Sequence, residues 1–439
     1  MRPWSFVLWA ILCSALCVGC HADSSDDDSS DDDAGDDDVV DDDVDDDADD
    51  DGSTDDDLDD DSSDDDTGPA QWCRSIGTLP PDPDWTWTTR VMGRVSEGDF
   101  ESWLAYVGDT LWVYWWQWDE VAQAGTATLT KLENGTRVDY PLLANPGDPI
   151  VGIMGLTVDL DGRPWTVGLD WNHVISPTAL SLVRWEEGEI AEVVPVADVG
   201  ISQFYKLYTL ADGRFLLYFA YGVAWAIYQT DAGFVMTYPN FDAESYVPDA
   251  NGVMHFIGCL GLRNLLHDFG SDTQPFRVEW LGRTPAAFNP DMGTPRTAVD
   301  ANFALHYIGF LNDYRIWHLY QDGTAMRSEV WSPSLKDRAC QQFIGGLDEM
   351  DRPFFSFGTC SGDPPVTCFV CKEGESLRSE VIEAAELYGE VSIYDDFALA
   401  ESGQIAFSAV FGEWDGAETT TRSLKVFVRE PSTRQGGPP

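Results

Sequence analysis

The chain has 439 residues and a formal charge of −53, from 78 Asp and Glu against 25 Lys and Arg. That balance argues against nucleic acid as a partner, because phosphates demand patches of Lys and Arg. With 18 Trp, 15 Tyr and 22 Phe it is too aromatic to be disordered throughout, so a large core is expected beyond its acidic stretch.

The N-terminus reads as an export signal. Arg2 gives a positive start, and Trp4 to Leu16 is mostly apolar but too short to span a bilayer well. Small residues then lead to Cys20 in the run Leu16-Cys17-Val18-Gly19-Cys20. This resembles the signal of bacterial lipoproteins, in which cleavage before a cysteine frees its thiol to carry a diacylglycerol. The resemblance implies a signal peptide over 1–19, lipidation at Cys20 and a membrane partner reached through the lipid. His21, standing where an Asp would hold such a protein at the inner membrane, implies the outer membrane or cell surface of a Gram-negative bacterium.

Residues 20–69 form a linker built on nine Asp-Asp-Asp triplets, the first at 26–28 and the last at 64–66. Like charges at this density repel and there is nothing to bury, so an extended, disordered tether is expected. Carboxylates suit calcium, but the EF-hand loop needs a Gly at its sixth position and a Glu at its twelfth, and residues 23–67 contain no Glu. Weak calcium binding is the most the tract offers. No cofactor is expected.

From Trp85 the pattern is strands: short aromatic and β-branched runs broken by Asp-Gly, Asn-Gly and Pro. The best helix candidate is a turn or two over Glu380–Tyr388. An apolar run, a polar turn and a second aromatic run recur seven times. Anchoring each turn at Gly108, Gly162, Gly213, Gly252, Phe303, Asp351 and Gly403 gives a period of about 49 residues. That is the period of a β-propeller with four-stranded blades. In the second unit the strands are expected near Ile153–Val158, Arg163–Leu169, Ala179–Trp185 and Ile190–Val196, joined by two-residue turns at 161–162 and 187–188.

The last unit ends at its third strand, from Ser423, while Arg90–Ser96 stands unclaimed ahead of the first. Ring closure by the N-terminal strand is the simplest repair. The expectation is an all-β, seven-bladed propeller over residues 70–431 with a disordered tail at 432–439. The phrase "DLDGRPWTVGLDW…LSLVRWEEGEIAEV" resembles the propellers of bacterial sensor ectodomains, a likeness of turn chemistry that implies fold and not function. An array of β-sandwiches or two smaller β domains is the alternative.

Leaving out Cys13, Cys17 and Cys20, six cysteines remain: Cys73, Cys259, Cys340, Cys360, Cys368 and Cys371. An even number in an exported chain favours disulfides. The expected register gathers the last four at one rim of the sixth blade and sets Cys340 opposite Cys360, leaving Cys73 to pair with Cys259. Zinc on four thiolates is the competing chemistry, disfavoured by an oxidising compartment.

His255 and His306 hold matching places in neighbouring units, and His267 and His318 each follow twelve residues later. Other units place Trp165, Leu216, Phe354 and Ala406 there, so these histidines read as packing residues rather than metal ligands. No Gly-x-Ser-x-Gly elbow, phosphate-binding loop or His-Glu-x-x-His motif occurs, and no catalytic residue is assigned. Trp112, Trp115, Trp116 and Trp118 are candidates for stacking on a sugar or peptide. The functional expectation is a surface-tethered binding or scaffold propeller for a protein, peptide or glycan. A carbohydrate-active hydrolase or lyase and a structural envelope-assembly component are the alternatives.

Overall fold

The computed structural model describes residues 69–95, 102–119, 124–142, 152–169, 179–198, 203–220, 224–241, 245–260, 264–288, 296–312, 315–331, 339–359, 366–384, 391–414 and 420–432. The signal, the Asp tract and the C-terminal tail lie outside them. One helix, α1 (Pro69–Ile76), precedes strand β1 (Trp85–Val95). Blade 1 is β2 (Trp103–Val107), β3 (Thr110–Asp119), β4 (Ala124–Glu133) and β5 (Thr136–Pro141). Blade 2 is β6 (Gly152–Val158), β7 (Pro164–Leu169), β8 (Ala179–Glu186) and β9 (Glu189–Asp198). Blade 3 is β10 (Gln203–Thr209), β11 (Phe215–Ala220), β12 (Ala224–Thr230) and β13 (Gly233–Thr237). Blade 4 is β14 (Ser245–Pro248), β15 (Met254–Leu260), β16 (Asn264–Gly270) and β17 (Arg277–Arg283). Blade 5 is β18 (Arg296–Val299), β19 (Leu305–Phe310), β20 (Ile316–Asp322) and β21 (Ala325–Trp331). Blade 6 is β22 (Ala339–Leu347), β23 (Pro353–Thr359), β24 (Val366–Glu373) and β25 (Ser376–Ala384). Blade 7 is β26 (Val391–Leu399), β27 (Ile405–Trp414) and β28 (Thr420–Pro431), with β1 as its fourth, outer strand. The chain is a seven-bladed β-propeller closed by its N-terminal strand.

The closing ladder runs antiparallel from Trp85 opposite Pro431 to Val95 opposite Arg422. Arg90–Val95 pair with Arg422–Val426, as the sequence implied, and β1 extends five residues further back. Its register shifts between Val91 and Gly93, and the Arg137 guanidinium on blade 1 donates to the carbonyls of Val91 (2.8 Å) and Met92 (2.7 Å). A bulge that frees two acceptors is thereby capped by the neighbouring blade.

The core lies between blades, because a two-sided strand buries alternate side chains against opposite neighbours. In β19 all six residues, Leu305–Phe310, are buried. Tyr307 joins the layer shared with blade 4, while Ile308 and Phe310 join the layer shared with blade 6. One layer joins blades 6, 7 and 1 around Phe354, Phe407, Phe427 and Trp115, so the seam at the chain ends is packed like the others.

The seven turns between the first and second strands carry the residues chosen as period anchors. All seven are left-handed, including Phe303 (φ 63°) and Asp351 (φ 58°), where a side chain costs about 1–2 kcal/mol relative to Gly. In six blades these turns are three-residue loops closed by a bulge, as where Gly162 N–H donates to Asp159 O and Asp159 N–H to Arg163 O. The expected two-residue turn at 161–162 is corrected accordingly. At the other expected turn, Glu187 and Gly188 both have positive φ and make a two-residue type I′ hairpin. The proposed helix from Glu380 is also corrected, since Glu380–Ala384 continue β25 and the rest of that segment lies outside the described residues.

Removing residues 1–97, and with them β1, is expected to expose β28 as a long apolar edge and cause aggregation. A matched chain lacking only residues 23–67 should melt like the intact protein. Equal melting and solubility of the two truncations, measured by calorimetry and light scattering, would overturn the closing role of β1.

Candidate functional site

In four blades, 2, 4, 5 and 6, the recurring turn begins with an acid whose backbone role is constant. In blade 2 Asp159 accepts the N–H groups of Asp161 (3.0 Å) and Arg163 (2.9 Å) on one oxygen. Its second oxygen accepts Arg163 Nε (2.7 Å) and the indole N–H of Trp165 (2.9 Å). Burial raises the Asp159 pKa, but these donors outweigh it and hold the carboxyl below its ordinary value. Asp249, Asp300 and Asp348 make the same two backbone bonds in blades 4, 5 and 6.

In blades 2, 4 and 5 the second oxygen faces the side chain six residues on, whereas that of Asp348 in blade 6 takes Arg352 Nε and faces Cys371 Sγ. In blade 2 that is Trp165; in blades 4 and 5 it is His255 and His306, with Asp–His separations of 3.5 and 3.8 Å. The strand alternation then builds a chain outward. His255 Nδ1 lies 3.0 Å from His267 Nε2, and His267 Nδ1 lies 2.7 Å from Glu279. Blade 5 repeats it, with His306 Nδ1 3.0 Å from His318 Nε2 and His318 Nδ1 2.9 Å from Glu329. Glu329 also pairs with Lys372 of blade 6. Each acid–His–His–acid series therefore crosses from the inner turn through β15–β17 or β19–β21 to the outer strand.

The proton arrangement follows from the hydrogen bonds. If each second histidine donates its Nδ1–H to the outer carboxylate, its Nε2 must accept the Nδ1–H of the first. Both rings are then neutral, and Nε2 of the first carries no proton for the inner carboxylate; in blade 4 it is buried without a hydrogen-bond partner. Burial pushes His267 down to about 4 against the pull of Glu279, and burial with the neighbouring His318 pushes His306 down to about 4. His318 is lowered by burial as well. Burial works to raise the Glu329 pKa, but its bonds to His318, Lys372 and Trp331 bring it to about 2. The histidines that sequence reading assigned to packing are indeed buried, yet they are wired into hydrogen-bonded series that the sequence position alone did not reveal. The twelve-residue repeat was the available signal, since it carries one histidine onto the adjacent strand beside the other. Among the described residues no group of three or more His, Cys, Asp or Glu is placed to hold a metal ion.

The tryptophan candidates divide. Trp112 and Trp115 are 8% and 0% exposed, so they are core residues and not stacking platforms. Trp115 even satisfies its indole N–H internally, on Thr130 Oγ1 at 2.9 Å. The side chains of Trp116 and Trp118 lie outside the description.

The cysteine expectations are corrected too. Cys73 on α1 is bonded to Cys368 on β24, and not to Cys259. Cys371 is a buried free thiol facing Asp348, pushed up to about 12 by burial and that carboxylate. Three residues apart on one strand, Cys368 and Cys371 point to opposite faces and sit in different interblade layers, which rules out a shared four-sulfur cluster. Cys340 lies on β22 beyond a register shift between Ala339 and Phe343, which breaks the alignment that set it opposite Cys360. The side chains of Cys259 and Cys340, and all of Cys360, lie outside the description, as does Cys20.

The two rims differ. The turns between first and second strands, and most of those between third and fourth, have two or three residues and are fully described. The opposite rim carries the other connections, whose lengths are irregular: 142–151 between blades 1 and 2, 170–178 within blade 2, and 284–295 between blades 4 and 5 are the longest.

No family model matches the chain, and no curated protein matches it. Solved structures do. A protein of unknown function from Dyadobacter fermentans is 10% identical, with a TM-score of 0.40 over 79% of this chain and 99% of that one. The β-propeller domain of the Trilobed protease from Pyrococcus furiosus is 11% identical, with a TM-score of 0.42 over 73% and 95%. The polysaccharide lyase Uly1 is likewise 11% identical, with a TM-score of 0.41 over 74% and 89%.

The buried histidines generate a pH prediction. A folded value near 4 for His267 and His306, against the ordinary 6.5 of a solvated imidazole, means that the unfolded chain binds protons first as pH falls. The stability these two residues contribute is present above pH 6.5 and lost between 6.5 and 4. A His306→Gln variant should therefore show a shallower decline of Tm across that window than the parent. An unchanged slope in calorimetric scans would show that His306 does not titrate with unfolding.

Proposed function

We propose that the protein is an exported, lipid-anchored binding propeller, held by Cys20 at the outer membrane and carrying its recognition surface on the rim with the long connections. The observation that supports the binding reading is the asymmetry of the rims. Short turns of one repeated chemistry occupy one side, and irregular connections of up to a dozen residues occupy the other. Long, irregular connections on a rigid scaffold are where binding residues concentrate. The buried acids and histidines of the blades, by contrast, are spent on one another. Ring closure supports the same reading, because a closed ring holds every loop of that rim in fixed relation to the rest. A protein, peptide or glycan of the envelope is the ligand class this rim would take.

The anchor and the binding face are tested separately. Cys20→Ser is expected to abolish lipid labelling and release the protein from membranes, and unchanged fractionation would remove the anchor from the proposal. For the face, a photo-crosslinking residue at Val174 or Asp291 should capture a defined partner in intact cells, while one at Asn134 or Asp231 on the opposite rim should not. Equal capture from both rims, or none from the first, would reject the long-connection rim as the recognition surface.

A further inference from the structure

The N-terminal segment does more than deliver β1 to blade 7. Before reaching it, residues 69–84 run along the outer edge of blade 6. Helix α1 places Cys73 and Ile76 in the layer formed by Ile308, Phe310, Trp331 and Phe355, and Cys73 is bonded to Cys368. Gly77 N–H donates to Ser379 Oγ at 2.9 Å, and the N–H groups of Thr78 and Leu79 reach Leu377 O at 2.8 and 3.1 Å. Arg378 then holds Pro80 O. Asp82 N–H donates to Glu380 at 3.2 Å, and the Trp87 indole donates to the same carboxylate at 2.6 Å. Arg429, with 0% exposure, lies 3.7 Å from Asp82 and 3.6 Å from Glu380, between the rings of Trp85 and Phe369.

This route matters for a chain pulled from its N-terminus. β1 is an edge strand with a ladder on one side only, to β28, whereas β24 is held between β23 and β25. Tension applied ahead of residue 69 reaches Cys73 before it reaches β1. From Cys73 the covalent path leads to Cys368, in the middle of a four-stranded blade. Residues 74–367 lie within the loop that the disulfide closes, and β1 is among them.

We propose that the Cys73–Cys368 disulfide diverts tension on the N-terminal tether into blade 6 and so shields the ring-closing strand from being peeled away. The proposal rests on the reading that the chain is held at its N-terminus. The strap of residues 74–84, the Glu380 bonds and the Arg429 contacts become a second closure that carries no load while the disulfide is intact. Reduction transfers the load to them and to β1.

The test is single-molecule stretching of the full mature chain between an N-terminal handle and a peptide handle inserted at the exposed Asp231–Ala232 turn. After reduction of the wild-type protein, and in Cys73→Ser, a low-force event should release residues 74–95, about 70–80 Å of extended chain at roughly 3.3–3.6 Å per residue. Oxidised wild-type protein should lack that event. Calorimetry of the reduced wild-type protein establishes that the ring is folded before stretching, so misfolding of Cys73→Ser cannot mimic the result. The proposal fails if oxidised protein shows the same event, if the reduced form never does, or if thiol mapping finds Cys73 and Cys368 free in the oxidised form. Failure of the anchor reading would show in the fractionation of Cys20→Ser and would leave the force curves unchanged.

Discussion

Everything in this fold depends on one antiparallel ladder, the pairing of β1 with β28. Without it blade 7 has three strands and the seventh interblade layer loses its outer wall. Met92 and Val95 of β1 belong to the same layer as Phe407, Phe427 and Trp115, so the strand closes a hydrophobic surface as well as a sheet edge. The cost of this solution is that a local pairing between residues more than 300 positions apart must form before the ring is complete. Such long-range closure is expensive in chain entropy and forms late. The Arg137 cap on the β1 bulge and the Arg429 cluster lie at this seam.

The second organising element is the acid that begins the inner turn. One oxygen satisfies two backbone N–H groups of the three-residue loop. In blades 2, 4 and 5 the other oxygen faces the residue six positions on. The turns also touch: a Cβ on Gly213 would stand 3.1 Å from Leu160, and one on Gly252 would stand 3.0 Å from Leu210. Each turn therefore sets the position of the next around the ring. Where the acid is absent, as at Leu210 and Ala400, the backbone bonds of the loop persist and the side chain is apolar. The loop geometry is therefore carried by the backbone, with the acid adding a polar anchor on top of it.

The fold was legible in the sequence because its repeat is written in turn residues, whose backbone demands are local. Phe303 and Asp351 could be aligned with five glycines even though neither is a glycine, and both adopt the left-handed conformation their position requires. The strand bounds of blade 2 and the orphan strand ahead of blade 1 were readable for the same reason. What was not legible is what depends on side-chain direction across strands. Residues 368 and 371 looked like a paired motif until the alternation of β24 put them on opposite faces. The alignment of Cys340 with Cys360 was lost to a register shift that leaves no mark in composition. Helix α1 was missed because eight residues beside an acidic tract show too little periodicity to stand out, and the disulfide that docks it joins positions 295 apart.

The histidine series bear on where function can reside. A buried imidazole without partners is costly, and two side by side would repel if both were charged. With both rings neutral, the outer carboxylate and the His–His bond satisfy three of the four ring nitrogens in each pair, while Nε2 of the first ring faces the inner carboxylate with no proton to give it. This arrangement consumes the very groups that a catalytic reading would want to find free. His255, His267, His306 and His318 are all buried at 8% exposure or less, with the His–His and outer His–Glu contacts running across the strands of their own blade. The same logic applies to Trp115, whose indole is satisfied within its own blade. Residues that look chemically capable in the sequence are in this fold largely structural, because a propeller buries both faces of its inner strands.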